Sequence, residues 1–550
     1  MTKSDNLQHE EWRKEYEKIR KVAPEQDLKY NRSEIPIKPL YTVEDIAEPE
    51  SSFPGQYPFT RGLYPTMYRG RGWSRRQLIG LDTPERFNQR QRELIRAGSN
   101  AVSIIFCNSF YRGYDADMVD SLLVGTCGTP INTMEDMRIA FDQIAIEDIS
   151  VGLNDPIGFT GLAMLLVLAE ERNIPYSKIT GTSNQSDFIS HYVANHMFYR
   201  ISLEGSLRIL LDHIEYTNKH VPNWNPVSIV GQHMQQAGAT PAQALAFTIS
   251  SGITYIEETL KRGLPIDSFA PRFTFFYDIS ISMFEETAKF RAGKRIWAKL
   301  LKERFGAQDP RSMRFKFHGQ TSGADLTRQQ PLNNIIRVTV QAIAGILGGA
   351  QSLHTDSYDE ALGTPIEEAA RIAINTQNIL AEEAGLADVI DPLGGSYYME
   401  KLTDQMEEKV WAYIHEIDEM GGMLEAVRTG YIQREIGESA EKHQRAIDNL
   451  ERTVVGVNKY QIDESQDKRP PLTRVAPELV EKHLQRLENF KKNRDQSKVQ
   501  KALEQIEIAA KDPSINIFEA TIAAVKEGCT HGEIIHELRE HLGFGHPNIV

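Results

Sequence analysis

Short apolar runs alternate along this chain with longer segments of helical periodicity. Eight such runs lie at 101–106, 148–152, 178–182, 226–231, 267–273, 313–317, 344–352 and 387–391. Between them, apolar residues recur every three or four positions, for example at 159–173 and 359–385. Eight units of a strand followed by a helix predict an α/β fold, a parallel (β/α)8 TIM barrel.

Polar side chains accompany four of the predicted strand ends. These groups are Gln232 to Gln235, Arg272 with Thr274, His318 to Ser322, and Gln351 to His354. Barrel interiors are ordinarily filled by branched apolar side chains, and catalytic groups lie at the carboxyl ends of the strands. Any single group fits a hydrogen-bonded part of the core, but four of them favour a slender polar ligand along the barrel axis.

The 550 residues exceed the length of one barrel, so extensions are expected at both ends. We predict an N-terminal helix and extended arm at 1–60, the barrel at 61–450, a linker at 451–476 and a helical tail for subunit docking at 477–550. The tail carries His531, Glu533, His536 and His541 without an H-E-x-x-H motif. They are therefore predicted to be exposed helix residues, and no metal site is expected.

Charge and cysteine content narrow the classes of function. The net charge of −14 argues against nucleic acid as the main partner. No apolar stretch is long enough to span a bilayer and no leader follows Met1, which predicts a cytoplasmic protein without a membrane partner. Three isolated cysteines predict neither disulfides nor a zinc site. Five arginines among the aromatic residues of 61–80 suit either the phosphates of a nucleotide-like ligand or a solvated turn.

Six motifs carry a resemblance that runs from roughly residue 40 to the end of the chain. They are RGLYPTMYRGR, SIVGQHMQQAGAT, SFAPRFTFFY, FHGQTSG, GGAQSLHTDSYDEA and VIDPLGGSYY. In order and sequence they resemble the catalytic subunit of the methylmalonyl-CoA mutase family. Within that family the chain is similar to the separate large subunits that isomerise isobutyryl-CoA or 2-hydroxyisobutyryl-CoA. The resemblance implies a bore through the barrel that holds the pantetheine arm of coenzyme A.

The resemblance also implies roles for residues at matching positions. Contacts with coenzyme A at the mouth of the barrel would be Tyr64, Thr66, Met67, Arg71, Ser74 and Arg76. Contacts along the bore and with the phosphates would be Ser103, Ser228, Arg272, Thr274, His318, Gln320, Gln351 and Ser352. The catalytic residue His233 would donate a hydrogen bond to the thioester carbonyl. The residues that face the cofactor would be Phe106, Asn108, Tyr111, Gln236, Gly323, Glu360 and Ala361.

The implied cofactor is adenosylcobalamin, whose Co–C bond breaks to give a radical that abstracts hydrogen from the substrate. Such a rearrangement needs an oriented, polarised carbonyl more than a general base, in keeping with the neutral groups at the strand ends. None of the fifteen histidines follows an Asp two residues earlier. The cobalt ligand of the family's D-x-H-x-x-G motif is therefore expected on a separate small cobalamin-binding subunit. The resemblance further implies a heterotetramer and a G-protein chaperone as partner.

Three departures from the family pattern bear on the substrate. Methylmalonyl-specific members have an Arg at the position of Ala194, and that Arg pairs with the free carboxylate of the substrate. With Ala at this position the carboxylate would be buried without a partner, which costs several kcal/mol. Leu78 leaves room for a branched carbon. Ile105 stands where hydroxyacyl enzymes have an Asp that accepts a hydrogen bond from the substrate hydroxyl. We therefore predict a neutral branched acyl-CoA of the isobutyryl-, 2-hydroxyisobutyryl- or pivalyl-CoA type, not methylmalonyl-CoA.

Two alternatives stay open. The block from Cys107 to Tyr111 replaces the family's Asp-x-Pro-Thr, and Gln236 replaces a usual Glu. On that ground the chain is alternatively a non-catalytic subunit that binds acyl-CoA or serves assembly of a cobalamin-dependent complex. The other alternative is an unrelated barrel hydrolase with Cys107 as its nucleophile.

Overall fold

The computed structural model describes residues 3–22, 30–46, 52–194, 201–470 and 475–546. Parts of the predicted arm (23–29 and 47–51) and of the predicted linker (471–474) lie outside the described residues. The helices of the first half are α1 Lys3–Val22, α2 Met67–Gly70, α3 Pro84–Arg96, α4 Asn108–Tyr111, α5 Met134–Ala140, α6 Thr160–Glu171, α7 Phe188–Val193, α8 Leu203–His220, α9 Gln232–Gln236, α10 Pro241–Lys261 and α11 Ile266–Phe269. Those of the second half are α12 Met283–Lys299, α13 Asn333–Leu347, α14 Glu367–Glu382, α15 Tyr397–Glu419, α16 Met423–Arg428, α17 Tyr431–Asp448, α18 Pro477–Asn493, α19 Gln496–Lys511, α20 Ile517–Lys526 and α21 His531–Leu542.

The strands form two parallel sheets that meet at both edges. They are β1 Ser74–Arg76, β2 Ala101–Ile104, β3 Ser150–Leu153, β4 Gly181–Ser183, β5 Trp224–Asn225, β6 Val227–Val230, β7 Phe273–Ile279, β8 Phe317–Thr321 and β9 Ser352–His354. One sheet has the order β1-β9-β8-β7-β6 and the other β2-β3-β4-β5. A parallel bridge from Ile79 to Ile104 joins β1 to β2, and β5 and β6 are one strand interrupted at Pro226, which lacks an N–H.

The ring therefore has eight strands. The predicted α/β fold, a (β/α)8 barrel with a helical C-terminal region, is confirmed.

The predicted run at 387–391 is not a strand. It is an irregular turn in which Val389 is 61% exposed. The turn brings Asp391 to Arg61, whose Nε lies 3.0 Å from Oδ2, and to the buried Arg291. The strand that the pattern missed is β1, whose sequence Ser-Arg-Arg contains no apolar residue.

Three other predicted runs end where their strands begin. β7 starts at Phe273, β8 at Phe317 and β9 at Ser352. As a result, Arg272, Thr274, Gln351 and Ser352 lie at the amino ends of the strands, not at the carboxyl ends where the sequence placed them. The polar groups are thus distributed along the whole axis of the barrel.

The C-terminal helices pack against the barrel. The ring of Phe518 on α20 meets Phe159 and His213 edge to face, at centroid distances of 6.3 and 4.6 Å. His531 at the start of α21 is completely buried, so its predicted exposure is wrong. Along the part of the chain that the structure describes, no helix is both long and apolar enough to cross a membrane.

Candidate active site

A cavity of about 590 Å³ opens between the amino ends of the strands and extends into the barrel; we call it the bore. Eleven residues with a predicted role in acyl-CoA binding line it: Tyr64, Thr66, Met67, Arg71, Ser74, Arg76, Ser228, Thr274, His318, Gln351 and Ser352. Ser150, Thr182, Asn184, Asn225 and Lys316 also line it. These five were missed because each is a single polar residue at a strand end with no motif around it.

Several buried polar atoms around the bore have no hydrogen-bond partner. They are Arg76 Nε, Asn184 Nδ2, Asn225 Oδ1 and His318 Nε2. The other ring nitrogen of His318 lies 2.7 Å from Ser352 Oγ. Burial, reinforced by Arg76 and His354, holds the pKa of His318 well below its usual value, so the ring is neutral. Buried polar groups are ordinarily paired, and these atoms therefore mark a place for a polar ligand.

Gly152 on β3 keeps the bore open beside Arg76. A Cβ on Gly152 would lie 2.8 Å from Arg76 Nη1, 2.7 Å from Ser103 Oγ and 3.0 Å from Asn184 Nδ2. Arg76 Nη1 donates to Ser103 Oγ at 3.3 Å. Burial lowers the pKa of Arg76 to about 10, which leaves the guanidinium charged at neutral pH.

A second cavity of about 390 Å³ adjoins the bore and shares Tyr64 and Lys316 with it. Its cations are Arg272, Arg311, Arg314 and Lys316. Burial, together with the nearby Arg272 and Arg314, lowers the pKa of Lys316 to about 7. Such a cluster of cations is suited to bind phosphates, because an anion would relieve their mutual repulsion.

His233 lies at the opposite, carboxyl end of the barrel. It stands on α9, directly after β6, and is 5% exposed. Its Nδ1 is 3.1 Å from the hydroxyl of Ser190, which is also 2.9 Å from the carbonyl of Asp187. The carboxylate of Asp187 accepts from the Val230 N–H at 2.8 Å and thereby ties α7 to β6.

The Ser190 hydroxyl decides which nitrogen of a neutral His233 carries the proton. A hydroxyl has one hydrogen, which it donates either to the Asp187 carbonyl or to His233 Nδ1. In the second arrangement the imidazole proton is on Nε2, where it can be donated to a carbonyl.

The residues predicted to face the cofactor fall into two groups. Gly323 and Glu360 lie together, since a Cβ on Gly323 would be 3.9 Å from Glu360 Cγ and 3.8 Å from Asp356 Oδ2. Gln236 Nε2 donates to Asp278 at 2.9 Å, and Asp278 also hydrogen-bonds to Ser322, the residue before Gly323. Phe106 and Tyr111 are instead packed into the protein: the Phe106 ring stacks on Phe110 at 4.2 Å, and the Tyr111 hydroxyl accepts from the Phe106 N–H.

The remaining predicted residues line neither cavity. They are Leu78, Ser103, Ile105, Ala194, Gln320, Asn108 and Ala361, the last two near the carboxyl end. Arg272, by contrast, lines the second cavity. Leu78, Ile105 and Ala194 are half-buried. Cys107 is completely buried, and its Sγ contacts the Leu123 carbonyl and the Gly125 N–H at 3.6 and 3.1 Å. Both contacts are with backbone groups, and neither supplies the histidine that the hydrolase alternative requires as a base.

A sequence profile of the family described as methylmalonyl-CoA mutase matches residues 30–544. The chain belongs to the methylmalonyl-CoA mutase family. It is 40% identical over 526 residues to the 2-hydroxyisobutanoyl-CoA mutase large subunit of Aquincola tertiaricarbonis, covering 94% of this chain and 93% of that protein. It is 43% identical to a probable mitochondrial methylmalonyl-CoA mutase of Caenorhabditis elegans and 40% to the human mitochondrial enzyme, covering 96% and 97% of this chain and 71% of each relative.

Members of the methylmalonyl-CoA mutase family are isomerases that depend on adenosylcobalamin, and the carboxyl end of the barrel fits a polar group of that kind. Asp356 Oδ2, Ser357 Oγ and Asp359 Oδ1 are buried there without a partner. Glu360 is exposed beside them, and desolvation together with the neighbouring Asp356 and Asp359 raises its pKa above the ordinary value. Among the described residues, no three His, Cys, Asp or Glu side chains converge on a metal position.

Proposed function

We propose that this chain is the large subunit of an adenosylcobalamin-dependent mutase that rearranges the carbon skeleton of a neutral branched acyl-CoA, of the isobutyryl-, 2-hydroxyisobutyryl- or pivalyl-CoA type. The observation that carries the proposal is the polar bore. Its unpaired Asn184, Asn225 and His318 atoms line a channel that leads from the cationic cavity into the barrel. Family membership supplies the class of reaction.

Coenzyme A would span the two cavities. Its phosphates would pair with Arg272, Arg314 and Lys316, and its pantetheine amides would satisfy the unpaired atoms of the bore. Arg76 and Ser103, next to Gly152, would contact the same arm further along the axis. This arrangement directs the thioester towards the carboxyl end of the barrel, where His233 lies.

At the reacting end, the chain orients the substrate and excludes water. His233 Nε2 would donate to the thioester carbonyl, and Ser190 would fix the required tautomer by donating to Nδ1. Adenosylcobalamin, when bound, supplies the radical chemistry that a protein side chain cannot. Glu360 and the neighbouring unpaired oxygens would hold its polar groups.

The acyl pocket would be neutral. Leu78, Ile105 and Ala194 carry no charge, so a second carboxylate on the substrate would be buried without a counterion. That reasoning disfavours methylmalonyl-CoA. The cobalt ligand would come from a small cobalamin-binding subunit: no histidine of this sequence follows an Asp two residues earlier, and the bacterial relative is named a large subunit.

The test is electron paramagnetic resonance of the chain reconstituted with a small cobalamin-binding subunit and adenosylcobalamin. Isobutyryl-, 2-hydroxyisobutyryl-, pivalyl- and methylmalonyl-CoA are added in turn. We expect a radical signal coupled to cob(II)alamin with one of the neutral substrates. His233→Ala should suppress turnover at least tenfold, the order expected when one oriented donor is lost, while His220→Ala on the surface of α8 should not.

A complex that forms and binds acyl-CoA without any Co–C cleavage would contradict this proposal. That outcome would favour the non-catalytic subunit. A signal only with methylmalonyl-CoA would refute the neutral pocket but leave the mutase assignment intact.

A further inference from the structure

A buried acid pairs with a glutamine at the end of α9. Gln236 is half-buried at the end of α9, and its Nε2 donates to Oδ1 of Asp278 at 2.9 Å. Asp278 is the penultimate residue of β7 and is 1% exposed. The acid and the amide thus form one unit at the carboxyl end of the barrel.

The direction of Asp278 follows from the alternation of side chains along β7. The rings of Phe275 and Tyr277 point outward, where they pack edge to face on Trp297 and Phe290. Thr274 and Phe276 point inward: Thr274 lines the bore, and the Phe276 ring meets the bore-lining His318 edge to face at 4.9 Å. Asp278 has the same parity as Thr274, so it points into the barrel, beside its register partner Gln320 on β8.

A buried network holds the backbone of this unit in place. Lys289 Nζ donates to the Asp278 carbonyl at 2.8 Å and to Gln235 Oε1 at 3.0 Å. Gln235 in turn donates to Glu286 at 2.8 Å. Because Gln235 and Gln236 are adjacent on α9, this network fixes the helix against the end of β7.

An amide has two chemically different ends, and Asp278 occupies one of them. The N–H end of Gln236 is directed at the acid, which leaves the carbonyl oxygen, Oε1, to accept a hydrogen bond from another donor. Burial, with a smaller contribution from Asp325, raises the pKa of Asp278 to about 8. At neutral pH the unit therefore carries no charge and accepts a hydrogen bond without attracting a cation.

We propose that Asp278 is a positioning residue that orients the Gln236 amide, so that Gln236 Oε1 accepts a hydrogen bond from a hydroxyl group of the ligand at the carboxyl end of the barrel. This inference rests on the proposed function. The hydroxyl belongs either to the acyl chain of the substrate or to the nucleoside of the cofactor.

The test exchanges the acid and the amide in the reconstituted complex. Asp278→Asn leaves two amides that can pair in either sense, and Gln236→Glu sets two acids against each other. We expect each single variant to lose roughly tenfold in ligand affinity or turnover, as for one hydrogen bond that is no longer oriented. The double variant Gln236→Glu/Asp278→Asn restores one acid and one amide, and we expect it to recover most of the loss.

Two readouts distinguish the sources of the hydroxyl. The affinity of the complex for adenosylcobalamin is compared with that for methylcobalamin, which lacks the adenosyl nucleoside. Turnover of 2-hydroxyisobutyryl-CoA is compared with that of isobutyryl-CoA. Weaker binding of adenosylcobalamin alone assigns the hydroxyl to the nucleoside, and a selective loss with the hydroxyacyl substrate assigns it to the acyl chain.

Exposed Gln308→Glu serves as the control for added charge. Single variants that match the unsubstituted complex in every readout would overturn the inference. So would a double variant no better than the worse single variant while its thermal unfolding is unchanged. The cobalamin comparison can be read even if no acyl-CoA is turned over, so failure of the inference and failure of the proposed function are distinguishable.

Discussion

Replacing His531 by Ala should loosen the C-terminal helices from the barrel. The ring of His531 is completely buried and stacks on Phe110 with a centroid distance of 3.6 Å. Its Nε2 lies 2.9 Å from the Phe110 carbonyl, which can only accept, so Nε2 carries the proton. Nδ1 then accepts from the Thr160 hydroxyl at 2.7 Å.

The magnitude follows from these contacts. Two buried hydrogen bonds contribute about 1 kcal/mol each, and their loss leaves a carbonyl and a hydroxyl unpaired. The ring stack contributes about 0.5–1.5 kcal/mol beyond its buried area. With the cavity that the ring leaves, we expect a loss of roughly 3–5 kcal/mol. That is a large part of the 5–15 kcal/mol by which a folded domain is ordinarily stable.

Hydrogen exchange of α21 and the thermal unfolding midpoint measure the effect. His536→Ala is the matched control, since His536 is exposed on the same helix. It should change stability by less than about 0.5 kcal/mol. If His531→Ala behaved like this control, the interface described between the tail and the 107–111 block would be wrong.

The pH dependence of the same variant gives a second measurement. Burial lowers the pKa of His531 to about 3, below its ordinary value of 6.5. Between these two values the unfolded chain binds a proton that the folded chain does not, so stability is lost as pH falls below about 6.5. His213 adds to this slope for the same reason. His531→Ala should flatten the slope only in part.

Three further predictions concern the bore and its surroundings. Lys316→Ala should raise the KM for acyl-CoA roughly tenfold or more with little change in kcat, because it removes a charge-assisted contact to phosphate; an unchanged KM in steady-state kinetics would count against the phosphate site. Gly152→Ala should weaken acyl-CoA binding measured by calorimetry, since the methyl group would displace Arg76; binding equal to that of the unsubstituted chain would show that the arm does not pass there. Burial raises the pKa of Asp155 to about 7, so stability should fall as pH rises from about 4 to 7; Asp155→Asn should gain stability at pH 8 relative to pH 5 in thermal melts, and an unchanged difference would refute that assignment.

The fold was predictable from sequence where strands are buried on both faces. β2, β3 and β6 are short apolar runs between helical segments, the pattern expected of a parallel barrel. β1 was not predictable in this way, because Arg75 and Arg76 are charged and their pairing depends on β9, far away in the sequence. The turn that holds Asp391 was mistaken for a strand because its role is to meet Arg61 and Arg291, which no local pattern reveals.

The site was predictable where motifs extend over several residues. The eleven bore residues found from sequence belong to such motifs, whereas Asn184, Asn225 and Lys316 stand alone and acquire a common purpose only when the ring closes. Asp278 lies in an apolar run, and its partner Gln236 is 42 positions away. His531 was assigned to an exposed surface because an amphipathic helix does not show which partner covers its apolar side.

The bore opens at the amino end of the barrel, whereas His233, Glu360 and Asp278 lie at the carboxyl end. On the proposed function, a coenzyme A ester would enter and leave at the amino end while the cobalamin-binding partner covers the carboxyl end. Substrate exchange would then not require the cobalamin-binding partner to dissociate. Acyl-CoA and the cobalamin-binding partner would bind in either order. Slow dissociation of the partner would then not limit the number of turnovers per assembled complex.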